Sequence, residues 1–498
     1  MNTDAVTLIL NGERKYIPRG SLLSEVISGE APCGGRGSCG KCRVLAFGCL
    51  SPADARERTP LSGEELAQGY RLACMTRAVG DCEVKTLTAT ATGILTDGDG
   101  ETYRISPGFT EYGIAADIGT TTLAAKLFDR EGRSLATAAR LNPQSFAGAD
   151  VITRIGAALA GESARLAEVI RRALDEMIVE LCGNARVAAA NVGELVVTGN
   201  TAMLHLLTGT DTRPLSRAPF EAQRKFGETL TAEELDLSAL LPKTPVYLPP
   251  CISAFVGADT VCAVLADGTV SGGVRMLADI GTNGEIFLCR NQKYYACSMA
   301  AGPAFEGVGI SCGMRGEIGA VDRVELVNGE LFARTIGGGK AAGICGSGLA
   351  DAVACLLDAE LLDESGCLED DPTRICDGVV LNQADIRAVQ LAKSAVHAGI
   401  VTLLSEQGIK ADELDSFSLA GGFGNYLNMR SAVRIGLLPS ELTRIARPIG
   451  NAALKGAEML LLAPEKRAEC QKIANATETL ELGGNAVFAD NYMMGMSF

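Results

Sequence analysis

Ala115–Asp129, AADIGTTTLAAKLFD, and Leu277–Leu288, LADIGTNGEIFL, are one pattern written twice in a chain of 498 residues. In each copy an apolar strand ends on an aspartate, a glycine and hydroxyl residues turn the chain, and a second apolar strand leads away. Such a unit is a hairpin whose turn amides face an anion. Two copies imply two half-domains facing one cleft. The residue types suit a magnesium nucleotide. Asp117 and Asp279 would hold Mg2+ or its waters, while Gly119, Thr120, Thr121 and Thr122 in the first turn, and Gly281, Thr282 and Asn283 in the second, would hold phosphate oxygens. A third segment, SLAGGFGN (Ser418–Asn425), runs a strand into a turn at Gly421 and Gly422, where side chains would collide with a flat base or ribose. Glu285, just past the second turn, reads either as the group that orients an attacking water or as a surface acid.

The first ninety residues carry different chemistry. Cys33, Cys39 and Cys42 stand in the spacing C-x5-C-x2-C, and Cys74 follows at a distance. Three thiolates on one loop with a remote fourth form the ligand pattern of a two-iron cluster, whereas zinc ribbons supply two C-x2-C pairs. Gly34, Gly35, Gly37 and Gly40 let backbone amides approach the cluster sulfurs. Cys49 and Cys82 are rival ligands by position, and both read as packing residues.

Composition bounds the rest. Hydrophobic residues make up 47% and charged residues 21%, as in a globular multidomain protein. Lys+Arg 45 against Asp+Glu 60 leaves a net charge of −15, which repels phosphate backbones, so a nucleic-acid partner is not expected. The apolar runs read as shorter than a membrane span and no signal peptide is recognisable, so a cytoplasmic protein with no membrane partner is expected. With only His205 and His397, both read as helix or core residues, a multi-histidine metal site is excluded. Residues 253–266 (SAFVGADTVCAVLA) and 451–461 (NAALKGAEMLL) read as helices between the half-domains, with Gly257, Ala258 and Gly456 at their contacts. The segments AAGPAFEG, ISCGMRGEIGAV and GICGSGLAD either line the cleft or face a partner.

The two hairpins and the Gly-Gly turn resemble the phosphate-1, phosphate-2 and adenosine motifs of the acetate and sugar kinase, Hsp70 and actin superfamily (ASKHA). The cysteine loop resembles two-iron ferredoxins of the β-grasp fold. The expected fold is therefore α/β multidomain. It comprises an N-terminal β-grasp ferredoxin domain (α+β) at 1–92, a linker at 93–112, and a duplicated actin-like, ribonuclease H-like ATPase domain at 113–498, with half-domains at about 113–276 and 277–498.

The whole chain resembles the reductive activators of corrinoid enzymes, through GNTAMLHLLTG, ADIGTNGEIFL, AGPAFEGVGISCGMRG, GICGSGLAD and LAGGFGNYL, in that order behind the cysteine loop. That resemblance implies an ATPase passing one electron from a 2Fe-2S cluster on Cys33, Cys39, Cys42 and Cys74 to the cob(II)amide of a partner corrinoid protein in a methyltransferase system. The product is cob(I)amide. It implies ATP and Mg2+ as further cofactors and an external low-potential electron donor, and it leaves a homodimer open. Longer members carry extra sequence before the first phosphate motif, where this chain has about twenty residues. Neither histidine lies in a cobalamin-binding D-x-H-x-x-G, which places the corrinoid on the partner. The competing readings are an ATP-driven electron donor to a radical dehydratase or reductase, a small-molecule kinase with a fused ferredoxin, and a nucleotide-gated scaffold.

Overall fold

The computed structural model describes residues 5–10, 13–27, 35, 37, 42–86 and 94–498. The chain divides into two compact units, residues 1–91 with 141–173, and residues 92–140 with 174–498.

In the first unit, β1 (Ala5–Leu10) and β2 (Glu13–Pro18) pair antiparallel, and Val6 and Leu8 of β1 point to the core. Strands β3 (Arg43–Leu50), β4 (Tyr70–Leu72) and β5 (Ala78–Thr86) complete a five-stranded mixed sheet in the order β2-β1-β5-β3-β4, with β1 and β5 parallel. Leu8, Leu23, Val44, Leu72 and Val84 fill the core beneath it. The helix Gly63–Ala67 starts at a reciprocal cap, Ser62 and Glu65 each accepting from the other's backbone N–H at 3.1 and 2.8 Å.

The second unit is built on two six-stranded sheets. Strands β6 (Tyr112–Ile118), β7 (Thr122–Asp129), β8 (Ser134–Leu141), β9 (Val192–Gly199), β10 (Glu228–Thr231) and β11 (Pro245–Leu248) lie in the order β10-β11-β9-β6-β7-β8. Strands β12 (Val274–Ile280), β13 (Gly284–Arg290) and β14 (Lys293–Met299) are followed by β15 (Ala320–Val327), β16 (Glu330–Thr335), β17 (Gly343–Ile344), β18 (Thr373–Cys376) and β19 (Val379–Leu381), which form two small sheets. Strands β20 (Ser416–Ala420), β21 (Ala446–Pro448) and β22 (Thr477–Thr479) then join the second large sheet, in the order β21-β20-β12-β13-β14-β22. The sequence repeat is a repeat of topology. In both sheets a tight antiparallel hairpin, β6–β7 or β12–β13, has a later strand laid parallel on its first arm, β9 or β20. Because these hairpins are covered on both faces, β6 and β7 read as near-continuous apolar runs rather than alternating ones.

The helices Ala258–Asp267 and Ala452–Leu462 lie in the layer between the two sheets, and their side chains share one core with Ala115, Val196, Leu277 and Phe287. That position explains why both are apolar nearly all round. They touch at Gly456, where an added Cβ would stand 2.1 Å from the carbonyl oxygen of Cys262. Gly456→Val is accordingly expected to cost about 3 kcal/mol by overpacking, read as a lower denaturant midpoint for the second unit.

From residue 94 the segment read as a linker is strapped across this helix pair. Asp99 N donates to Ile449 O (3.1 Å), Glu101 N to Ala266 O (2.7 Å) and Ser106 N to Leu462 O (2.8 Å), while Asn451 N donates to Asp97 O (2.9 Å). The Asp97 carboxylate pairs with Lys126 at 2.7 Å, and Lys126 also meets buried Glu458 at 3.1 Å.

Among the described residues one helix, Gln383–Glu406, is long enough to cross a membrane and has a window of mean hydropathy 1.2, but most of that window is buried inside the protein. Its apolar side chains, among them Ile386, Val389, Val396, Ile400 and Leu403, belong to the core beneath the second large sheet. Lys393 on this helix is buried, with its Nζ donating to Ser497 O and lying 4.8 Å from the Phe498 ring. Burial pulls its pKa down to about 8. The folded state therefore holds this proton less tightly than the unfolded chain, so the group costs stability below pH 8 and that cost fades as pH rises toward 10.5. Lys393→Met is expected to raise the melting temperature at pH 7, with the gain shrinking between pH 8 and 10.

Candidate nucleotide cleft and thiol pair

Hairpin register brings the expected carboxylates together. Asp279, next to last in β12, stands directly opposite Glu285 on β13, so both side chains leave the same face of the hairpin. Glu285 is therefore a half-buried neighbour of Asp279 rather than a free surface acid, and its carboxyl is pushed well up by burial and then by Asp259 and Asp279. Asp117 occupies the equivalent place at the end of β6. Burial, followed by the charge of Asp259, pushes Asp117 and Asp279 each up to about 7. Asp259, in the first turn of the helix Ala258–Asp267, is pushed by burial to about 6. This aspartate was missed in the sequence. The only signal was its place just after Gly257-Ala258, inside a segment read as packing.

Crowding of this kind is relieved by a cation. Among the described residues no three carboxylate, thiol or imidazole groups meet closely enough to grip one ion directly. That arrangement suits magnesium, which keeps much of its water and is shared with substrate phosphates.

The turns are held by residues outside the motifs. Asn200, which caps the helix Thr201–Thr208, donates its Nδ2 to Thr120 Oγ1 at 3.0 Å. Asn451, capping Ala452–Leu462, donates Nδ2 to Asp117 Oδ2 at 3.2 Å and to Leu95 O at 3.3 Å. Glu306, in the segment AAGPAFEG, reaches both turns. Its Oε1 accepts from Thr282 N (2.6 Å) and Thr282 Oγ1 (2.7 Å), and its Oε2 from Thr121 Oγ1 (2.7 Å). Of the three Gly-rich segments left open by the sequence, this one lines the cleft.

Because β20 lies parallel to β12 with Ala420 beside Asp279, Gly421 opens its short helix against that carboxylate. Gly421 has φ +82°, and an added Cβ would stand 2.5 Å from Asp279 Oδ1. The glycine is thus required by the aspartate itself, a reason different from the base or ribose expected. Gly422 is exposed, with open space where its Cβ would be. Gly119, Gly281, Asn283 and the start of β7 at Thr122 all lie within the two turns.

In the first unit, Cys42 at the start of the β3 region and Cys74 after β4 are buried, with their sulfurs 3.2 Å apart. Ala73 N donates to Cys42 O at 2.8 Å, tying the two segments together. The Cys74 turn is clamped by buried Glu57, which accepts from Arg71 Nε and Nη2 (2.8 and 2.9 Å), Leu72 N (2.8 Å) and Thr76 Oγ1 (3.1 Å). Two converging buried thiols suit a shared soft metal centre. Cys33 and Cys39 lie outside the described residues. Cys82 pairs across from Gly48 at the far end of β3, beside Cys49, seven residues and roughly 20 Å of extended strand from Cys42, so both lie away from the Cys42–Cys74 pair.

Residues 112–270 match the RACo middle region, and residues 273–498 match the C-terminal domain of RACo, its ASKHA domain. Over 418 residues, covering 78% of this chain and 70% of the relative, the chain is 36% identical to the corrinoid activation enzyme RamQ of Eubacterium limosum. It is 26% identical over 426 residues to the [Co(II) methylated amine-specific corrinoid protein] reductase of Methanosarcina barkeri, covering 78% of this chain and 77% of that one. A solved structure of a reductive activator for corrinoid, iron-sulfur protein superposes with a TM-score of 0.74 at 28% identity, covering 99% of this chain and 98% of that one. With the duplicated hairpins, the helix pair between them and these matches in agreement, the chain belongs to the RACo family of corrinoid activators, and its C-terminal part has the ASKHA fold.

Proposed function

We propose that this protein is an ATP-dependent reductase that activates a separate corrinoid protein of a methyltransferase system. It would pass one electron from a 2Fe-2S cluster to cob(II)amide, giving cob(I)amide, coupled to ATP hydrolysis. The observation that carries the reading is the 36% identity to a corrinoid activation enzyme over most of both chains. The geometry supports it independently, since one chain holds both a buried thiol pair and a carboxylate-lined, two-hairpin cleft.

In this reading residues 1–92 are a ferredoxin domain of β-grasp type, and Cys33, Cys39, Cys42 and Cys74 hold the cluster. A two-iron cluster supplies single electrons at low potential. Asp117 and Asp279 would hold Mg2+ through its waters, the turns Gly119–Thr122 and Gly281–Asn283 would hold phosphates, and the Gly421–Gly422 turn would admit the adenosine on its open Gly422 side, with Gly421 seated against Asp279. Glu285, on the Asp279 face, orients the attacking water. A cytoplasmic setting and an external low-potential donor complete the proposal.

ATP is needed only if the transfer is uphill. A one-electron deficit of 0.1 to 0.2 V corresponds to about 2 to 5 kcal/mol, within reach of a conformational step driven by nucleotide turnover. The chain's own contribution is to open and close the cleft around the helix pair, and so to alter the environment of the partner's cobalt.

Phosphate release separates this reading from its rivals. Free phosphate is expected from MgATP, faster with a cob(II)amide protein present. A phosphorylated small molecule in place of free phosphate would mean a kinase. Release stimulated only by a dehydratase or ring-reductase component would mean the other kind of activator.

A further inference from the structure

Glu306 stands out among groups not assigned a role. It belongs to the second half-domain, where its backbone is tightly seated: Phe305 stacks on Phe423 at 4.5 Å, and a Cβ on Gly346 would lie 1.9 Å from Phe305 O. From there its carboxylate takes three donors, the Thr282 amide, the Thr282 hydroxyl and the Thr121 hydroxyl. Thr282 lies in the turn of its own half, Thr121 in the turn of the other half. One carboxylate thus clasps both hairpins across the cleft, with two anionic oxygens on the donors that two phosphate oxygens would use.

We propose that Glu306 is an internal phosphate mimic, a clasp that nucleotide phosphates must displace from the two turns before they can bind. This rests on the nucleotide reading of the cleft and deepens it. The two anions cannot share the donors: each hydrogen bond to the carboxylate has a single proton, and a phosphate placed beside Glu306 would meet like charge. Since the Phe305–Gly346 packing holds the backbone, displacement is a swing of the side chain. Its release breaks the bond to Thr121 and so uncouples the half-domains at this point. Each donor regained then serves phosphate, so binding energy is partly consumed in opening the clasp.

The test is equilibrium binding of MgADP, inorganic phosphate and adenosine to the full-length protein, followed by calorimetry, together with hydrogen exchange of the peptide containing Thr282. Glu306→Ala is expected to tighten MgADP about tenfold and phosphate in the same direction while leaving adenosine unchanged, because only phosphate competes. Without ligand, the Thr282 peptide should lose protection in the variant and regain it with MgADP. Glu306→Gln keeps the shape without the charge and should tighten MgADP by a smaller factor, which guards against a folding defect in the alanine variant. Equal or weaker MgADP binding in both variants, with wild-type binding intact, would overturn the clasp and make Glu306 a ligand or a structural group. No MgADP or MgATP binding by the wild type would instead fail the nucleotide reading, and the clasp with it.

Discussion

Asp279→Ala is expected to weaken MgATP binding by at least about a hundredfold and to abolish ATP-dependent corrinoid reduction, while the iron-sulfur spectrum and its chemical reduction stay as in the wild type. Asp279 sits where four constraints meet. It faces Glu285 across the hairpin, it is crowded by Asp259, it lies against the Gly421 turn, and it neighbours the Thr282 amide. Removing it takes away the charge that a divalent ion would answer, and a buried charge-assisted contact of this kind is worth several kcal/mol. The same change should not unfold the protein. A carboxylate held near pKa 7 by burial and like charge is strained in the folded state, so its loss is expected to leave thermal stability equal or slightly higher. Calorimetric titration with MgATP and a melting curve check both halves.

Cys74→Ala is the complementary change. It is expected to eliminate the two-iron absorption and paramagnetic signals, with MgATP affinity altered less than about twofold. The Cys74 thiol meets Cys42 at 3.2 Å, and the turn that carries it is fixed by four hydrogen bonds to Glu57. Among the described residues, Cys49 and Cys82 stand at the other end of β3 and are not placed to take its position. Intact cluster signals in Cys74→Ala would remove this cysteine from the ligand set. Loss of nucleotide binding together with the cluster would contradict the separation of the two chemistries.

The hairpins were legible because their signal is local: apolar arms, an aspartate at a fixed place and a glycine-hydroxyl turn, written twice. The helix pair was legible for the same reason, with Gly456 at the closest approach. Asp259, Glu306, Asn200 and Asn451 were not. None lies in a turn motif, and each acquires its role from a neighbour far away in sequence, Glu306 from Thr121 and Asn451 from Asp117. Glu285 was half legible. Its place six residues after Asp279, across a tight turn, makes it a cross-strand neighbour, but the face on which that strand carries it was open in the sequence. The strap at residues 94–106 was hidden because it is held by backbone hydrogen bonds, to which polar Gly/Asp-rich composition gives no clue. The helix Gln383–Glu406 is the converse case, a long helix of mixed apolar and charged residues whose surroundings identify it as core.

In the proposed function, nucleotide in the cleft of this chain drives an electron onto the cobalt of another protein. The direct measurement is anaerobic: the purified protein, a chemical reductant and a cob(II)amide-loaded corrinoid protein from the same genome, followed by visible spectra with and without MgATP. The cob(I)amide band is expected only when MgATP is present, and is expected to be absent with Asp279→Ala or Cys74→Ala. Reduction of cobalt at the same rate without MgATP, or in the Cys74→Ala protein, would contradict the proposed function.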